Sequence, residues 1–415
     1  MASLQLGMRA STLHHWAGIG DGRHSFEKLT ELFDNDDNYA SARQRIVSPE
    51  CLVIDEISML SKRVFEMVEY VCRHVKRSDL CFGGMQVIGC GDFMQLPPVP
   101  NKFLNDDGEY CFSSLLFDLA FPHHVHLTEV IRQKEQDLAK AVEELCDGSP
   151  SDATIDLLGS LSDNPDVPQE GLTRLYGTNF DVRFVNEEML DELEGEVEVF
   201  KAKDEGNKNL LLRSPIPKTL LLKEGAPVIL IKNLAGRLFN GQRGIVYKLS
   251  NGLPPVINFN GELHEMKPEI FEIFDASQNK ILASRSQIPI ILAFAMTVHR
   301  AQGQTIENLE IDSSSFFAPG QLGVAIGRAV CKKGLSIKNL NMTAAFMKHQ
   351  SSVYEFYDKP FNAVEADLSC CSGILGECID EHSNKHAVRR TYIFLARNRY
   401  RTMVRNGTTT FSLPI

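Results

Sequence analysis

A chain of 415 residues with 43% hydrophobic side chains can bury a substantial core, and its length predicts more than one domain. Its formal net charge of −11, from 43 basic and 54 acidic residues, excludes nucleic-acid binding driven by the overall field, so any such contact has to be local. No apolar run reaches the ~18 residues of a membrane span, the start MASLQLGMRA has neither a secretory core nor an Arg-rich transit pattern, and the 10 scattered cysteines lack the compact spacing of a secreted disulfide framework.

The first informative element is CLVIDEISML. Leu52, Val53 and Ile54 read as a buried parallel strand, and such strands carry ligand-binding polar residues at their carboxyl ends. Asp55 and Glu56 stand at that end. An acid pair there suits a metal-nucleotide site, one acid on Mg²⁺ and one on the attacking water, but a helix-capping acid after an ordinary strand reads equally well from this run alone. Leu60, Val64, Met67, Val68, Val71 and Val75 recur at helical spacing and predict a helix after Ser61. MQVIGCGD predicts the next strand, with Gly91 at the turn, Asp92 at the strand end, and Pro97 and Pro98 preventing an immediate helix.

HVHLTEVIRQ supplies a third strand and DLAKAVEELCDG a helix closed by Gly148, so the fold class is α/β with a doubly wound parallel sheet. An acidic stretch rich in Ser, Asp and Pro then marks a boundary. From LTRLYGTNFDVRFVNEEMLDEL a second α/β unit begins, with Asn179 or Asp181 available as helix cap. Residues 225–288 interrupt it with regularly placed glycines among short apolar runs, the texture of a small inserted β unit. The α/β pattern returns in QIPIILAFAMTVHRAQGQTIENLEID, the helix PGQLGVAIGRAV and the strand GLSIKNL.

Taken in order, TLHHWAGIG, VIDEISML, GDFMQLPPV, LTEVIRQ, GAPVILIKNL, FNGQRGIV, FAMTVHRAQGQT and GQLGVAIGRA resemble the motif series of the petite-integration-frequency (PIF) DNA helicases, in the RecD-like branch of superfamily one, over roughly residues 2 to 342. The resemblance implies two RecA-like P-loop NTPase domains facing across an ATP site, the first truncated at its start. They would span 1–135 and 136–224 with 289–345, with a small β-barrel inserted at 225–288 and an extension of unknown role at 346–415. It implies an ATP-dependent helicase moving 5′ to 3′ on single-stranded DNA, with Mg²⁺ and ATP as cofactors and roles in telomere maintenance, repair and recombination. The expected address is nuclear, or mitochondrial if an upstream segment carries a transit peptide.

Residue by residue, the resemblance makes Asp55 the magnesium acid, Glu56 the activator of the hydrolytic water, and Gln95 the sensor of the γ-phosphate. Arg132 and Arg328 match its two arginines that reach the γ-phosphate, where a fixed guanidinium fork suits the developing charge. His299, Gln302 and Gly303 match a motif that connects nucleotide to DNA contacts, with Thr305 on the same stretch. Thr12, His14 and Trp16 point to the DNA track, although Trp16 reads equally as a core aromatic. Lys232, Arg237 and Arg243 are secondary phosphate contacts or solvated turn residues.

The sequence departs from that family in one large respect: no Gly-Lys dipeptide occurs anywhere, so the phosphate-binding loop is missing. A weak grip on nucleotide is expected, and a first sheet that lacks a central strand, with unpaired edges beside the gap. The start also reads as cut within an element. Two readings follow, a helicase whose amino-terminal portion lies upstream and an ATPase-dead nucleic-acid-binding protein, with a degenerate remnant as a third. Gly327 stands where many relatives carry Ser. Near the end, Cys371, Cys378, His382 and His386 form a loose zinc-like set, with unpaired cysteines the simpler reading, and RRTYIFLARNRYRTMVR predicts a packed amphipathic helix or a nucleic-acid contact.

Overall fold

The computed structural model describes residues 11–127, 130–168, 172–212, 214, 216–234, 238–275, 280–358 and 391–395. The first unit opens with helices α1 (Leu13–Ala17), α2 (Phe26–Asn35) and α3 (Ala40–Val47), followed by strand β1 (Cys51–Ile54) and helix α4 (Lys62–Lys76). Ser61 caps α4 by accepting a hydrogen bond from the Val64 N–H, and Arg77 closes it in the left-handed conformation. The face it buries comprises Phe65, Met67, Val68, Val71 and Cys72, which matches the predicted periodicity with Val64 and Val75 at its margin. Each fully buried side chain of this kind contributes roughly 1.5–3 kcal/mol.

Strand β2 (Gln86–Gly91) runs parallel to β1, pairing Cys51 with Gln86 and Ile54 with Gly89. After helix α5 (Phe117–Ala120) comes β3 (His123–Leu127). β1 sits at the sheet margin, so Val53 is 55% exposed and the strand expected to be wholly buried is covered on one face only.

The second unit begins with α6 (Gln136–Asp147) and α7 (Asp152–Ser160), then β4 (Thr173–Tyr176) and α8 (Asn179–Glu192). Gly148 ends α6 at φ 71°, as expected. The cap of α8 is Thr178, whose hydroxyl accepts from the Asp181 N–H, so neither Asn179 nor Asp181 is the capping residue. β5 (Glu198–Lys201), β6 (Lys203–Gly206), α9 (Lys208–Leu211) and β7 (Thr219–Leu222) follow, and β5 pairs with β7.

Residues 225–288 hold β8 (Pro227–Leu230), β9 (Arg243–Lys248), β10 (Val256–Phe259), β11 (Glu262–Glu265), β12 (Glu269–Asp275) and β13 (Lys280–Gln287). β8 to β11 and β14 (Ile290–Leu292) make an antiparallel sheet in the order β11-β10-β9-β8-β14, while β13 pairs with β12 on one side and β6 on the other in a second sheet. The hairpin of β12 and β13 reaches the first unit, where Arg23 donates to Glu272 at 2.8 Å and lies 4.5 Å over the Phe274 ring.

β15 (Ala295–Thr297) leads into the short helix α10 (Val298–Ala301), then β16 (Leu309–Asp312), α11 (Gln321–Ile326) and β17 (Leu335–Lys338). The sheet β15-β4-β16-β17 is parallel throughout and packs Leu175, Ile311, Leu322, Ile326 and Ile337 into a second core.

Two elements of the carboxyl-terminal region belong to the first unit. After α12 (Met342–Ala345), helix α13 (Ser351–Asp358) places Val353, Phe356 and Tyr357 in the first core. Strand β18 (Thr391–Leu395) lies between β2 and β3, antiparallel to both, giving the order β1-β2-β18-β3. Two expectations are corrected here. Residues 391–395 form a strand and not the amphipathic helix that RRTYIFLARNRYRTMVR suggests, and the gap expected in the first sheet is filled. The candidate zinc residues Cys371, Cys378, His382 and His386, together with Arg237, lie outside the described residues.

Candidate functional site

The carboxyl end of β1 turns sharply. Glu56 takes the left-handed conformation, φ 53° and ψ 46°, which non-glycine residues adopt sparingly and which marks a held geometry. Its own N–H donates to Asp55 Oδ1 at 3.0 Å, tying the two acids together. Across the cleft, the loop after α10 sends Gln302 to it, and the Gln302 Nε2 donates to Glu56 Oε2 at 2.8 Å. Gly303 follows at φ 80°, a conformation that suits glycine and lets the chain turn away from the contact.

Burial pushes the Glu56 carboxyl above the ordinary carboxylate range, and the neighbouring Asp55 charge adds to that push. The hydrogen bond from Gln302 and the positive charges of Arg328 and Arg132 pull the other way without cancelling it. Asp55 is displaced upward as well, mainly by desolvation. A raised carboxylate opposes folding once pH exceeds its unfolded value, about 4.3, because the folded state must then hold a charge it disfavours. Glu56→Gln is therefore expected to raise Tm relative to the parent at pH 8. That gain should vanish as the pH falls below about 4, where the carboxyl is protonated in both states.

Arg132 and Arg328 approach from the second unit's side. Arg132 Nε donates to Thr305 Oγ1 at 3.2 Å and its guanidinium also donates to the Gly327 carbonyl at 3.2 Å. Arg328, only 1% exposed, donates from Nε to the Val324 carbonyl at 3.0 Å. One residue the sequence reading passed over, Gln133, holds this region by donating to the carbonyls of Gly327 and Ala329, both at 3.0 Å. Its only sequence signal is that it follows Arg132.

Gln95 sits on the loop after β2, with its Oε1 buried and without a hydrogen-bond partner. Gln302 Oε1 is in the same condition. Both amide oxygens are buried acceptors left over, and that of Gln302 belongs to the side chain that meets the Glu56 carboxylate. The Gln95 loop is held against α11 at Gly320, whose φ is 69° and where a Cβ would lie 2.5 Å from the Met94 carbonyl oxygen. Gly320→Ala is expected to cost about 1–2 kcal/mol from the backbone alone, more if α11 is displaced, read as a fall in the urea midpoint. Asp92 at the end of β2 is fixed by Tyr357, whose hydroxyl donates to Asp92 Oδ1 at 3.0 Å and accepts from the Phe93 N–H at 2.7 Å. Tyr357 lies beyond the quoted motifs and had no sequence signal.

For magnesium, the residues offer the hard carboxylate oxygens of Asp55 and Glu56. Among the described residues no set of three or more metal-binding side chains forms a cage. Of the two, Asp55 would hold such an ion, with Glu56 left to the attacking water.

The residues expected on the DNA track divide between two places. Thr12 caps α1 by accepting from the His15 N–H and also accepts from Asn233 Nδ2 at 3.4 Å, so α1 faces the inserted β unit. Burial pushes the His14 imidazole below its ordinary value, and Trp16 packs partly buried against the first core. His299 is likewise held toward neutrality by burial and stacks on Phe317, the rings 6.3 Å apart and 22° from parallel. Phe317 is 60% exposed. Lys232 is engaged with Glu269 at 2.8 Å, and Arg243 donates to the Ala293 carbonyl.

A family profile described as PIF1-like helicase matches residues 1–148, and one described as DNA helicase Pif1, 2B domain, matches residues 207–249. The chain is 34% identical over 357 residues to "ATP-dependent DNA helicase PIF1" of Xenopus laevis, covering 84% of this chain and 54% of that one, and the Homo sapiens protein of that name gives the same figures. It is 28% identical over 442 residues to "ATP-dependent DNA helicase RRM3" of Saccharomyces cerevisiae, covering 86% and 60%. The chain thus spans about half the length of the curated relatives it matches. Among solved structures, the Pif1 helicase from Candida albicans superposes with a TM-score of 0.71 at 29% identity, covering 84% of each chain. The Bacteroides Pif1 helicase in complex with ADP-AlF3 and single-stranded DNA gives 0.70 at 26%, covering 83% of this chain and 82% of that one.

The architecture is that of the α/β helicases. Within that class, the chain belongs to the PIF1-like helicase family.

Proposed function

We propose that this chain is the motor portion of an ATP-dependent DNA helicase that moves 5′ to 3′ on single-stranded DNA. In this reading the two parallel sheets are RecA-like domains and the antiparallel insert is a small β-barrel. The supporting observation is the pairing of Glu56 with Gln302 at 2.8 Å, within the fields of Arg132 and Arg328. One acid, one amide and two guanidiniums from distant parts of the chain converge where a γ-phosphate would be split.

In the mechanism, Asp55 would hold magnesium, which when bound supplies charge neutralisation between phosphate oxygens. Glu56 orients the attacking water and accepts its proton, a task for which a raised carboxyl is suited. Arg132 and Arg328 stabilise the charge that builds on the transferred phosphoryl group. Gln95, whose side-chain amide N–H can donate to a phosphate oxygen, reads the presence of that group. Gln302 shares one short stretch with His299, Gly303 and Thr305, and that stretch is the route by which hydrolysis is communicated to the strand. Thr12, His14 and Trp16 stand at the other end of the track. The reading carries a nuclear address and roles in telomere maintenance, repair and recombination.

A second reading, single-stranded DNA binding without turnover, is favoured by the lack of a Gly-Lys dipeptide within these 415 residues. The test is anisotropy of a labelled oligothymidine together with ATP turnover, on the protein expressed from its full-length transcript. The motor reading expects salt-dependent binding and DNA-stimulated turnover that Arg328→Ala abolishes. Binding with no turnover selects the second reading. Turnover indifferent to Arg328 and Glu56 overturns the motor reading.

A further inference from the structure

β18 is the odd strand of the first sheet. β1, β2 and β3 all run one way, because β1 is parallel to β2 while β2 and β3 are each antiparallel to β18. A parallel α/β sheet normally gains its strands through crossover helices packed on its faces. Residues 391–395 instead arrive from a segment that follows α13 after 32 residues, 359–390, and they insert against the grain.

The register shows what this strand brings and what it does not. Tyr392 pairs with Gly91 and with His126, and Phe394 with Gly89 and with His124. At Tyr392 and Phe394 the paired residues are glycines on one side and histidines on the other, whereas Ile393 pairs with Val125 and Leu395 with Ile88, so apolar cross-strand partners are confined to the alternate positions. The ladder hydrogen bonds remain. Because the strand is antiparallel, its amino end lies at the carboxyl ends of β2 and β3, the edge that carries Asp55 and Glu56 on neighbouring β1. It leaves at the opposite edge. A strand that delivers a phosphate-binding loop to the acids must run the other way, ending beside Gly91.

We propose that the gap between β2 and β3 is a strand-acceptor site, and that residues 391–395 are its exchangeable occupant. An extended, predominantly apolar segment of about five residues is the ligand class it takes. Any strand leading into a phosphate loop beside Gly91 must occupy the same place, so that strand and β18 exclude one another. This last consequence rests on the helicase reading, whereas the exchange itself does not.

The test uses the 415-residue protein and a fluorescein-labelled synthetic copy of residues 389–397, with no nucleotide present, so that its outcome is independent of ATP turnover. The parent protein is expected to capture the peptide, and a scrambled peptide is not. In Ile393→Cys, a sulfur is placed in register with Cys90, and oxidation with diamide is expected to join the two, identified by peptide mapping. The joined protein should capture the peptide at least tenfold more weakly, with full recovery in dithiothreitol. In a second variant, Ile393→Pro, the loss of a ladder N–H should lower Tm by several degrees, and added peptide should restore it. Failure of the cross-link to form, equal capture by joined and reduced protein, no capture by the parent, or an unchanged Tm in Ile393→Pro each overturns the proposal.

Discussion

Glu56→Gln is expected to lower DNA-stimulated ATP turnover by about 10²–10⁴-fold, the usual contribution of a positioned general base. The substitution keeps the size and the hydrogen-bonding shape of the side chain. The amide can still meet Gln302 if one of the two amides presents its oxygen, so the contact that spans 246 residues is retained. What is lost is the capacity to take a proton. The loss should therefore fall on kcat, with nucleotide affinity little changed, which separates it from Arg132→Ala, where both parameters should worsen. The parent's turnover should also decline on the acid side at a pH above the ordinary carboxylate range, because Glu56 is displaced upward and must be ionised to act. A variant that retains more than a tenth of the parent kcat would remove Glu56 from the chemistry.

Asp204→Ala is expected to destabilise the inserted β unit by about 3 kcal/mol, the lower end for removing one partner of a buried ion pair. Arg285 is 4% exposed and Asp204 9% at the side chain, and the guanidinium meets the carboxylate with two bonds, Nε to Oδ1 at 2.7 Å and a second to Oδ2 at 2.9 Å. The same guanidinium donates to the Ile216 carbonyl, so it ties β13 to β6 and to the segment before β7. Deleting the acid leaves the Arg285 charge with the Ile216 carbonyl as its remaining hydrogen-bond partner among the described residues. The hydrogen bond from Arg285 holds the Asp204 carboxyl below its usual range. The pair's contribution is accordingly complete above about pH 4 and is lost as pH falls through the depressed folded-state value. Urea melts of parent and variant should thus differ at pH 7 and converge at strongly acid pH, while equal midpoints at pH 7 would show that the pair contributes nothing.

Local chemistry made much of the fold legible. The run Leu52–Ile54 with its two acids, the periodicity after Ser61, and Gly148 after α6 each follow from rules that act within one or two turns of chain. Tight turns and short apolar runs mark residues 225–288 in composition as well, whereas β6 and β14, which join the same sheets from outside those bounds, carry no such mark. The candidate site was legible only through motif order. Asp55 and Glu56 were ambiguous by themselves, and no local rule connects them with Gln302 or with two arginines beyond residue 130.

The sequence by itself determined the strands and helices that carry the quoted motifs in two α/β units, and which acids, amides and arginines are available for phosphate chemistry. Tertiary structure alone decided that Gln302 meets Glu56, that Gln133 and Tyr357 brace the site, and that residues 391–395 complete the first sheet. The reason is physical. Helix periodicity and capping are satisfied by neighbours in sequence, whereas a strand's backbone groups are satisfied by whichever edge is open, and TYIFL among its arginines carries no local sign of which edge that is.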